Sequence, residues 1–100
     1  MDKHAVWSTF RAKPGKASEV EAFLDECQKG IESEPGTSVF YVLRTGPGQY
    51  ATFDTFQDDA AFQAHLHGPT ARAVMDRAPD LFEQQPAIVQ GELIAAKPRT

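Results

Sequence analysis

The sequence predicts a single α+β domain in which helices cover one face of a four-stranded antiparallel sheet. The chain has 100 residues, the size of one domain, and residues 1–100 contain no linker or internal repeat that would divide it. Strand-like and helix-like apolar patterns follow one another in the order β-α-β-β-α-β. The predicted strands carry large apolar side chains on both faces, which indicates a sheet that is covered on both sides.

The first strand and the first helix are separated by a turn signal. His4–Ala12 mixes β-branched and aromatic residues and ends at Lys13-Pro14-Gly15. Ser18 and Glu21 have the spacing of a capping box at the start of a helix, and Pro35-Gly36 ends it. The apolar residues of this helix recur at helical spacing, and they are Val20, Phe23, Leu24, Cys27 and Ile31.

The next two strands are predicted to form a hairpin. Ser38–Arg44 and Tyr50–Phe56 are both rich in β-branched and aromatic residues. Thr45-Gly46-Pro47-Gly48 between them is a turn, so the second strand returns as the antiparallel neighbour of the first.

The second helical region is predicted to be interrupted once. Asp58 or Asp59 can cap its first part, and Gly68-Pro69 interrupts it, with Pro69 suited to the first position of a new helix. We expect Pro79 to end that helix. A final strand is predicted over Ala87–Ala96, whose side chains alternate between the two faces of the sheet.

This order of elements predicts a ferredoxin-like topology, built from two right-handed split βαβ units with both helices on one face. Large apolar residues then remain on the other face, among them Trp7, Tyr41, Phe53, Phe56 and those of the last strand. An apolar surface of that size is unfavourable on a monomer. We therefore predict a homodimer in which two sheets pack into a shared α+β barrel.

Composition and charge argue against several functional classes. The net charge is −4 and no Lys/Arg cluster exceeds two residues, so a nucleic-acid partner is not expected. The single cysteine, Cys27, cannot form an internal disulfide, and its position suggests a buried core residue, with a reactive thiol as the alternative. The sequence shows neither a signal peptide nor an apolar run that could span a membrane, so a cytoplasmic protein without a membrane partner is expected.

His65 is the candidate for acid–base chemistry, because imidazole exchanges a proton near neutral pH. It shares a helix face with Ala61, Phe62 and Leu66, and the alternative is a structural histidine at the edge of the helix–sheet contact. His65-x-His67 lacks the spacing of helical metal ligands, so no metal is predicted. Motifs for phosphate loops, nucleophiles and cofactors are absent from the sequence, and no cofactor is expected.

Aromatic residues from three predicted strands define a candidate substrate-binding region. They are Trp7, Phe10, Phe40, Tyr41, Phe53 and Phe56, with Arg11 and Arg44 at strand ends. Such residues either pack the core and the dimer interface or line a mostly apolar pocket for a flat aromatic ligand.

Three stretches resemble the antibiotic biosynthesis monooxygenase (ABM) family, which includes quinol monooxygenases. They are KPGKASEVEAF, EPGTSVFYVLR and FDTFQDDAAFQAHLHGP. In that family a K-P-G turn follows the first strand, E-P-G-[TC] precedes the second, and a strand carboxylate runs into D-x-x-A-[FL]-x-x-H. The corresponding residues here are Lys13-Pro14-Gly15, Glu34-Pro35-Gly36-Thr37, Asp54, and Asp58 through His65. The resemblance extends over about residues 4–96 and depends on the order and spacing of these motifs.

The resemblance implies a dimeric α+β barrel with a pocket between sheet and helices in each subunit. It also implies an enzyme that oxygenates a quinol or polycyclic phenol with O2, without flavin, metal or haem. On this basis His65 would assist deprotonation or orient the hydroxyl, and Asp54 would polarise it. Trp7, Phe40 and Phe53 would sandwich the ring.

Two alternatives to the monooxygenase remain open. One is a non-catalytic member of the same barrel superfamily that binds a small aromatic ligand or serves in stress physiology. The other is isomerase or dehydratase chemistry in the same pocket, because a fold does not fix a function.

Overall fold

The computed structural model describes residues 2–97, and its sheet confirms the ferredoxin-like topology. The elements are β1 His4–Arg11, α1 Ala17–Ile31, β2 Thr37–Gly46, β3 Gln49–Phe56, α2 Asp59–Leu66, α3 Pro69–Leu81 and β4 Ala87–Glu92. The strand order is β2-β3-β1-β4, and each neighbouring pair is antiparallel. The hairpin turn lies between β2 and β3, where Gly48 has a φ of 67°, a value that glycine adopts without strain.

The strand register sorts the side chains into two faces of the sheet. Successive residues of a strand point to opposite sides, so in-register partners form rows across it. On the face covered by the helices, one row comprises Phe40, Asp54, Val6 and Gln90, and the next comprises Val42, Thr52, Ser8 and Ile88. On the other face, which we call the open face, the central row comprises Tyr41, Phe53, Trp7 and Val89.

Helix α1 packs its predicted apolar stripe into the core, but it is not capped as predicted. All five apolar residues of the stripe are buried. The helix begins at Ala17, and its N-cap residue Lys16 makes no capping hydrogen bond through its side chain. The capping box is therefore wrong: Glu21 instead accepts hydrogen bonds from Arg44 and Tyr50, at 2.7 Å and 2.6 Å, so its carboxylate points towards the sheet.

The second helical region is divided as predicted, although its end is displaced. Asp58 caps α2 by accepting a hydrogen bond from the backbone N–H of Ala61 at 2.8 Å, and Pro69 begins α3. Pro79 lies inside α3 and does not end it. Ala78 and Leu81 are buried against the core on either side of Pro79, and this packing holds the last turn in a helix despite the missing N–H.

Strand β4 is shorter than predicted, because its partner strand ends. Glu92 pairs with His4, the first residue of β1, so residues 93–97 have no ladder to continue. The N–H of Leu93 still bonds to the carbonyl of Lys3, at 2.6 Å. Residues 93–97 are therefore not part of the sheet.

The open face carries exposed apolar side chains, as the patterning predicted. Trp7 is 38% exposed, and Tyr41 and Val89 are each 60% exposed. Phe56 is an exception to the prediction, because it points to the covered face and is fully buried beside Val6 and Phe62. Among the described residues, no helix is both long enough and apolar enough to cross a membrane.

Candidate active site

A small cavity lies between the covered face of the sheet and the helices. Its volume is about 210 Å³, and most of its wall is apolar. The apolar wall includes side chains from β1, β2, β4, α1 and α3, among them Val6, Phe10, Phe40, Leu24, Val74, Met75 and Ile88. Polar side chains at the wall come from Ser8, Thr52, Asp54, His65 and Thr70. A few polar groups in an apolar pocket are typical of a small-molecule site.

Asp54 is a buried carboxylate with one oxygen that has no partner. Its side chain extends from β3 into the cavity wall, and the residue is 3% exposed. Within the described residues, its Oδ1 atom has no hydrogen-bond partner. Burial raises the pKa of Asp54 to about 6, while His65 lowers this pKa and Glu34 raises it. Burying a carboxylate oxygen without a partner costs free energy, and a ligand that donates a hydrogen bond to Oδ1 would offset that cost.

His65 lies between two carboxylates. Its Nδ1 is 2.9 Å from Oε1 of Glu34, and its Nε2 is 3.4 Å from Oδ2 of Asp54. Oε1 of Glu34 also accepts a hydrogen bond from Thr37 Oγ1 at 2.9 Å, which fixes the carboxylate in place. The Nδ1 proton of His65 is therefore directed to Glu34, and Nε2 is directed to Asp54.

The order Glu34–His65–Asp54 places Oδ2 of Asp54 beside the imidazole and leaves its Oδ1 without a partner among the described residues. When Asp54 is ionised, it can accept a proton on that free Oδ1. Since both ring nitrogens already face carboxylate oxygens, these three groups do not converge on a common point as metal ligands do, and no such cluster occurs within residues 2–97.

The turn before β2 and helix α2 are held together by a close contact. Gly36 lies so near α2 that a Cβ built on it would be 2.4 Å from Cβ of Ala61. This contact brings the turn that carries Glu34 against the helix that carries His65. The ring of Phe56 supports His65 from the sheet side, with ring centroids 5.0 Å apart. Strand β3, the turn and α2 thus each position one member of the site.

The family model for antibiotic biosynthesis monooxygenases matches residues 4–77 of the chain. The chain belongs to this family. The match confirms the resemblance noted in the sequence, and it includes Glu34, Asp54 and His65. A search of curated proteins finds no significant match.

Solved structures show the same fold as this ABM protein. A protein of unknown function from Nitrosomonas europaea is 37% identical, with 100% of this chain and 97% of that chain covered and a TM-score of 0.94. A candidate antibiotic biosynthesis monooxygenase from Caulobacter crescentus is 21% identical, with 94% and 92% covered and a TM-score of 0.82. A protein from Shewanella oneidensis is 20% identical, with 95% and 94% covered and a TM-score of 0.84. The last two likenesses are evidence of the fold alone.

The structure brings together only some of the predicted site residues. Asp54, His65, Phe10 and Phe40 all line the cavity. The other predicted aromatic residues, Trp7, Tyr41 and Phe53, lie on the open face, because each is one residue out of phase with the cavity-facing residues of its strand. The prediction that Trp7, Phe40 and Phe53 sandwich one ring in this cavity is therefore wrong.

Arg44 also lies away from the cavity. Its Nε and Nη2 atoms bond to the two carboxylate oxygens of Glu21 on α1, at 3.1 Å and 2.7 Å. The pKa of Glu21 is lowered by the hydrogen bonds from Arg44 and Tyr50. Arg44 therefore joins the edge strand β2 to α1 at the surface, and the prediction that places it with the pocket aromatics is corrected.

Three residues of the site were missed in the sequence. Glu34 was assigned only to a turn motif, although the motif ends beside the helix that carries His65. Ser8 and Thr52 are small polar residues on the covered face, and the alternation of β1, in which Ser8 shares a face with Val6 and Phe10, was the signal that could have found Ser8. Cys27 also reaches the cavity wall, where burial raises the pKa of its thiol to about 11 and keeps it protonated.

Proposed function

We propose that this ABM protein binds a small quinol or phenol in the cavity and oxidises it with O2. The observation that carries the proposal is the free, buried Oδ1 of Asp54 at the cavity wall, supported from behind by His65 and Glu34. An acidic hydroxyl is the kind of group that would satisfy this oxygen, because it donates a hydrogen bond and can lose its proton.

Asp54 is proposed as the catalytic base. Its raised pKa makes it a stronger proton acceptor than an ordinary carboxylate. The hydroxyl proton of the substrate moves to Oδ1, while Nε2 of His65 lies beside the other carboxylate oxygen, Oδ2. Glu34 holds the imidazole from its other side. His65 thus assists deprotonation through Asp54, and Glu34 acts as a positioning residue.

The electrons for the reaction come from the substrate itself. A deprotonated quinol can give an electron to O2 directly, so the protein needs to bind, deprotonate and shield it. For a quinol, one oxygen atom ends on a ring carbon and the other leaves as water, which carries two hydrogens from the quinol. O2 gains four electrons, and the quinol loses four as it becomes a hydroxyquinone. The apolar wall would keep bulk water away from the intermediates.

A homodimer is part of the same proposal. The central row of the open face places Trp7 beside Phe53 and Val89, and these are the positions that a second sheet would cover. A second copy would therefore remove the exposed apolar surface from water. The cavity lies on the opposite face, so each subunit would have its own site.

The test is O2 consumption by purified, metal-free protein with a panel of quinols. We expect uptake above the rate of autoxidation, and a decrease of about 10²–10⁴-fold in kcat for Asp54→Asn. Asp76→Asn, on the exposed surface of α3, is the matched control and should retain the wild-type rate. Absence of uptake in a folded protein that still binds the quinols would reject oxygenation and favour the ligand-binding alternative.

A further inference from the structure

Two hydroxyl-bearing residues stand next to Asp54 on the cavity side of the sheet. Ser8 on β1 and Thr52 on β3 are direct partners in the register, so they face the cavity side by side. They are 8% and 5% exposed. Their row is adjacent to the row of Asp54, which is two residues further along β3. The separation of the two rows along the strand is therefore about 6–7 Å.

These hydroxyl groups differ from those of two other threonines, which donate hydrogen bonds to carboxylates of the protein. Thr37 donates to Glu34 at 2.9 Å, and Thr55, on the opposite face of β3, donates to Asp2 at 2.9 Å. The side-chain hydrogen bonds found within residues 2–97 do not include Ser8 or Thr52. Both residues line the cavity, so their hydroxyl groups can bond a ligand there, whereas alanine and valine at the same positions would offer no hydrogen-bonding group.

We propose that Ser8 and Thr52 form a second polar subsite, which binds the oxygen at the far end of the substrate. The inference rests on the proposed function, in which Asp54 takes the proton of the first hydroxyl. A ligand that reaches both polar groups must carry oxygens at opposite ends of its ring, as a para-dihydroxy arene does. Two oxygens on adjacent carbons lie only about one hydrogen-bond length apart, so an ortho-diol engages one subsite and leaves the other empty.

The remaining wall of the cavity supports this orientation. The row of Asp54 continues on β2 with Phe40, and the row of Ser8 continues on β4 with Ile88, so apolar side chains flank both polar groups. Cys27 and Leu24 of α1 also reach the cavity. The ring of the ligand would therefore lie among apolar side chains, with its oxygens directed to the two polar subsites.

The experiment compares two isomeric ligands in the absence of oxygen, so that binding is measured without turnover. The probes are 1,4-dihydroxynaphthalene and 1,2-dihydroxynaphthalene, which have the same atoms and the same ring system. Calorimetric titration of the wild-type protein should show about tenfold tighter binding of the 1,4-isomer, which corresponds to one additional hydrogen bond. In a Ser8→Ala/Thr52→Val double variant the two Kd values should agree within about twofold.

Two further variants separate the subsite from general effects on the fold. Thr9→Val is the matched control, because Thr9 adjoins Ser8 on β1 but points to the open face. It should retain the preference for the 1,4-isomer. Thr52→Ser keeps the hydroxyl group and should also retain the preference for the 1,4-isomer. This variant therefore tests the subsite even if the double variant folds poorly.

The outcomes distinguish the subsite from the oxygenase reaction. A preference for the 1,4-isomer that disappears in the double variant supports the subsite, whether or not O2 is consumed. Equal affinities in the wild-type protein, binding of neither isomer, or a preference that survives in the double variant would overturn it. Loss of O2 uptake alone, with the binding preference intact, would reject only the oxygenase reaction.

Discussion

The two faces of the sheet are unfavourable for opposite reasons, because one buries polar groups and the other exposes apolar groups. On the covered face, polar groups are buried: Asp54, Ser8 and Thr52 lie under the helices among apolar side chains. On the open face, apolar groups are exposed, and Trp7 and Tyr41 are the largest of them. Both arrangements cost free energy in an isolated chain.

The difference indicates what each face lacks. A small ligand that brings hydrogen-bonding atoms into the cavity would satisfy the buried polar groups. Another apolar surface would cover the exposed apolar row, which carries no buried charge that a small ligand would recognise. We therefore propose that chemistry takes place on the covered face and association on the open face, and the following predictions test that division.

The largest effect is expected on the open face. Trp7→Asp would place a charge in the centre of the proposed dimer interface, and we expect the dimer Kd to rise by about 10³-fold or more. Sedimentation velocity would measure it, with circular dichroism to check the fold. Gln63→Asp on the exposed face of α2 should leave the dimer unchanged. A wild-type chain that sediments as a monomer would contradict the assignment.

The next effect concerns the stability of the covered face and its dependence on pH. The folded-state pKa of Asp54 is about 6, above its ordinary value of 3.8, so the folded state holds more protons between these values. The free energy of unfolding should therefore fall as pH rises through this window and stay low above it. Asp54→Asn should raise the free energy of unfolding at pH 8 by up to about 3 kcal/mol and have little effect below pH 4.

Urea unfolding of both proteins at pH 8 and below pH 4 would measure this difference. Asp59→Asn, at an exposed position in the first turn of α2, serves as the control. A destabilised Asp54→Asn variant at pH 8 would mean that attraction to His65 outweighs the cost of burial.

A smaller effect is expected for the positioning residue. Glu34→Gln keeps an oxygen that can accept from His65 and Thr37 but removes the charge, so we expect kcat to fall about tenfold. The charge of Glu34 also contributes to the raised pKa of Asp54. The acid limb of the pH–rate profile should therefore move to lower pH in the variant. Glu32→Gln, two residues earlier and exposed, should change neither quantity.

The smallest effect is expected for Arg44, which bonds Glu21 at the protein surface. Arg44→Gln should leave the KM for a quinol within about twofold of the wild-type value, because no interaction with the substrate is removed. Steady-state O2 consumption would measure it. A large increase in KM would show that Arg44 does bind the substrate.

The fold could be predicted from local sequence patterns, whereas the site depends on contacts between residues that are far apart in the sequence. The apolar stripe of α1 and the turn before β3 each carry their own signal in a few neighbouring residues. The cap of α1 and the end of α3 were misjudged because tertiary contacts decided them: Glu21 turns to Arg44, and Leu81 anchors the turn beyond Pro79.

The site was recovered in part for the same reason. Asp54 was inferred through the family resemblance and His65 from its position on a helix face. The contact of His65 with Glu34 joins residues 31 positions apart, and no sequence period connects them. Trp7 and Phe53 were already expected on the uncovered face, so grouping them with Phe40 around one ring conflicted with that expectation, and the strand registers resolve the conflict. The homodimer and the cytoplasmic location stay predictions.

The close approach of Gly36 to Ala61 also has a consequence for how related sequences can vary. Since a Cβ at position 36 would overlap the Cβ at position 61, a larger residue at one position requires a smaller one at the other, or a displacement of α2. Any such displacement would change the spacing between Glu34 and His65. Among relatives that keep both residues, the two positions should therefore be constrained jointly, and substitutions at position 36 should impair the site without touching the cavity.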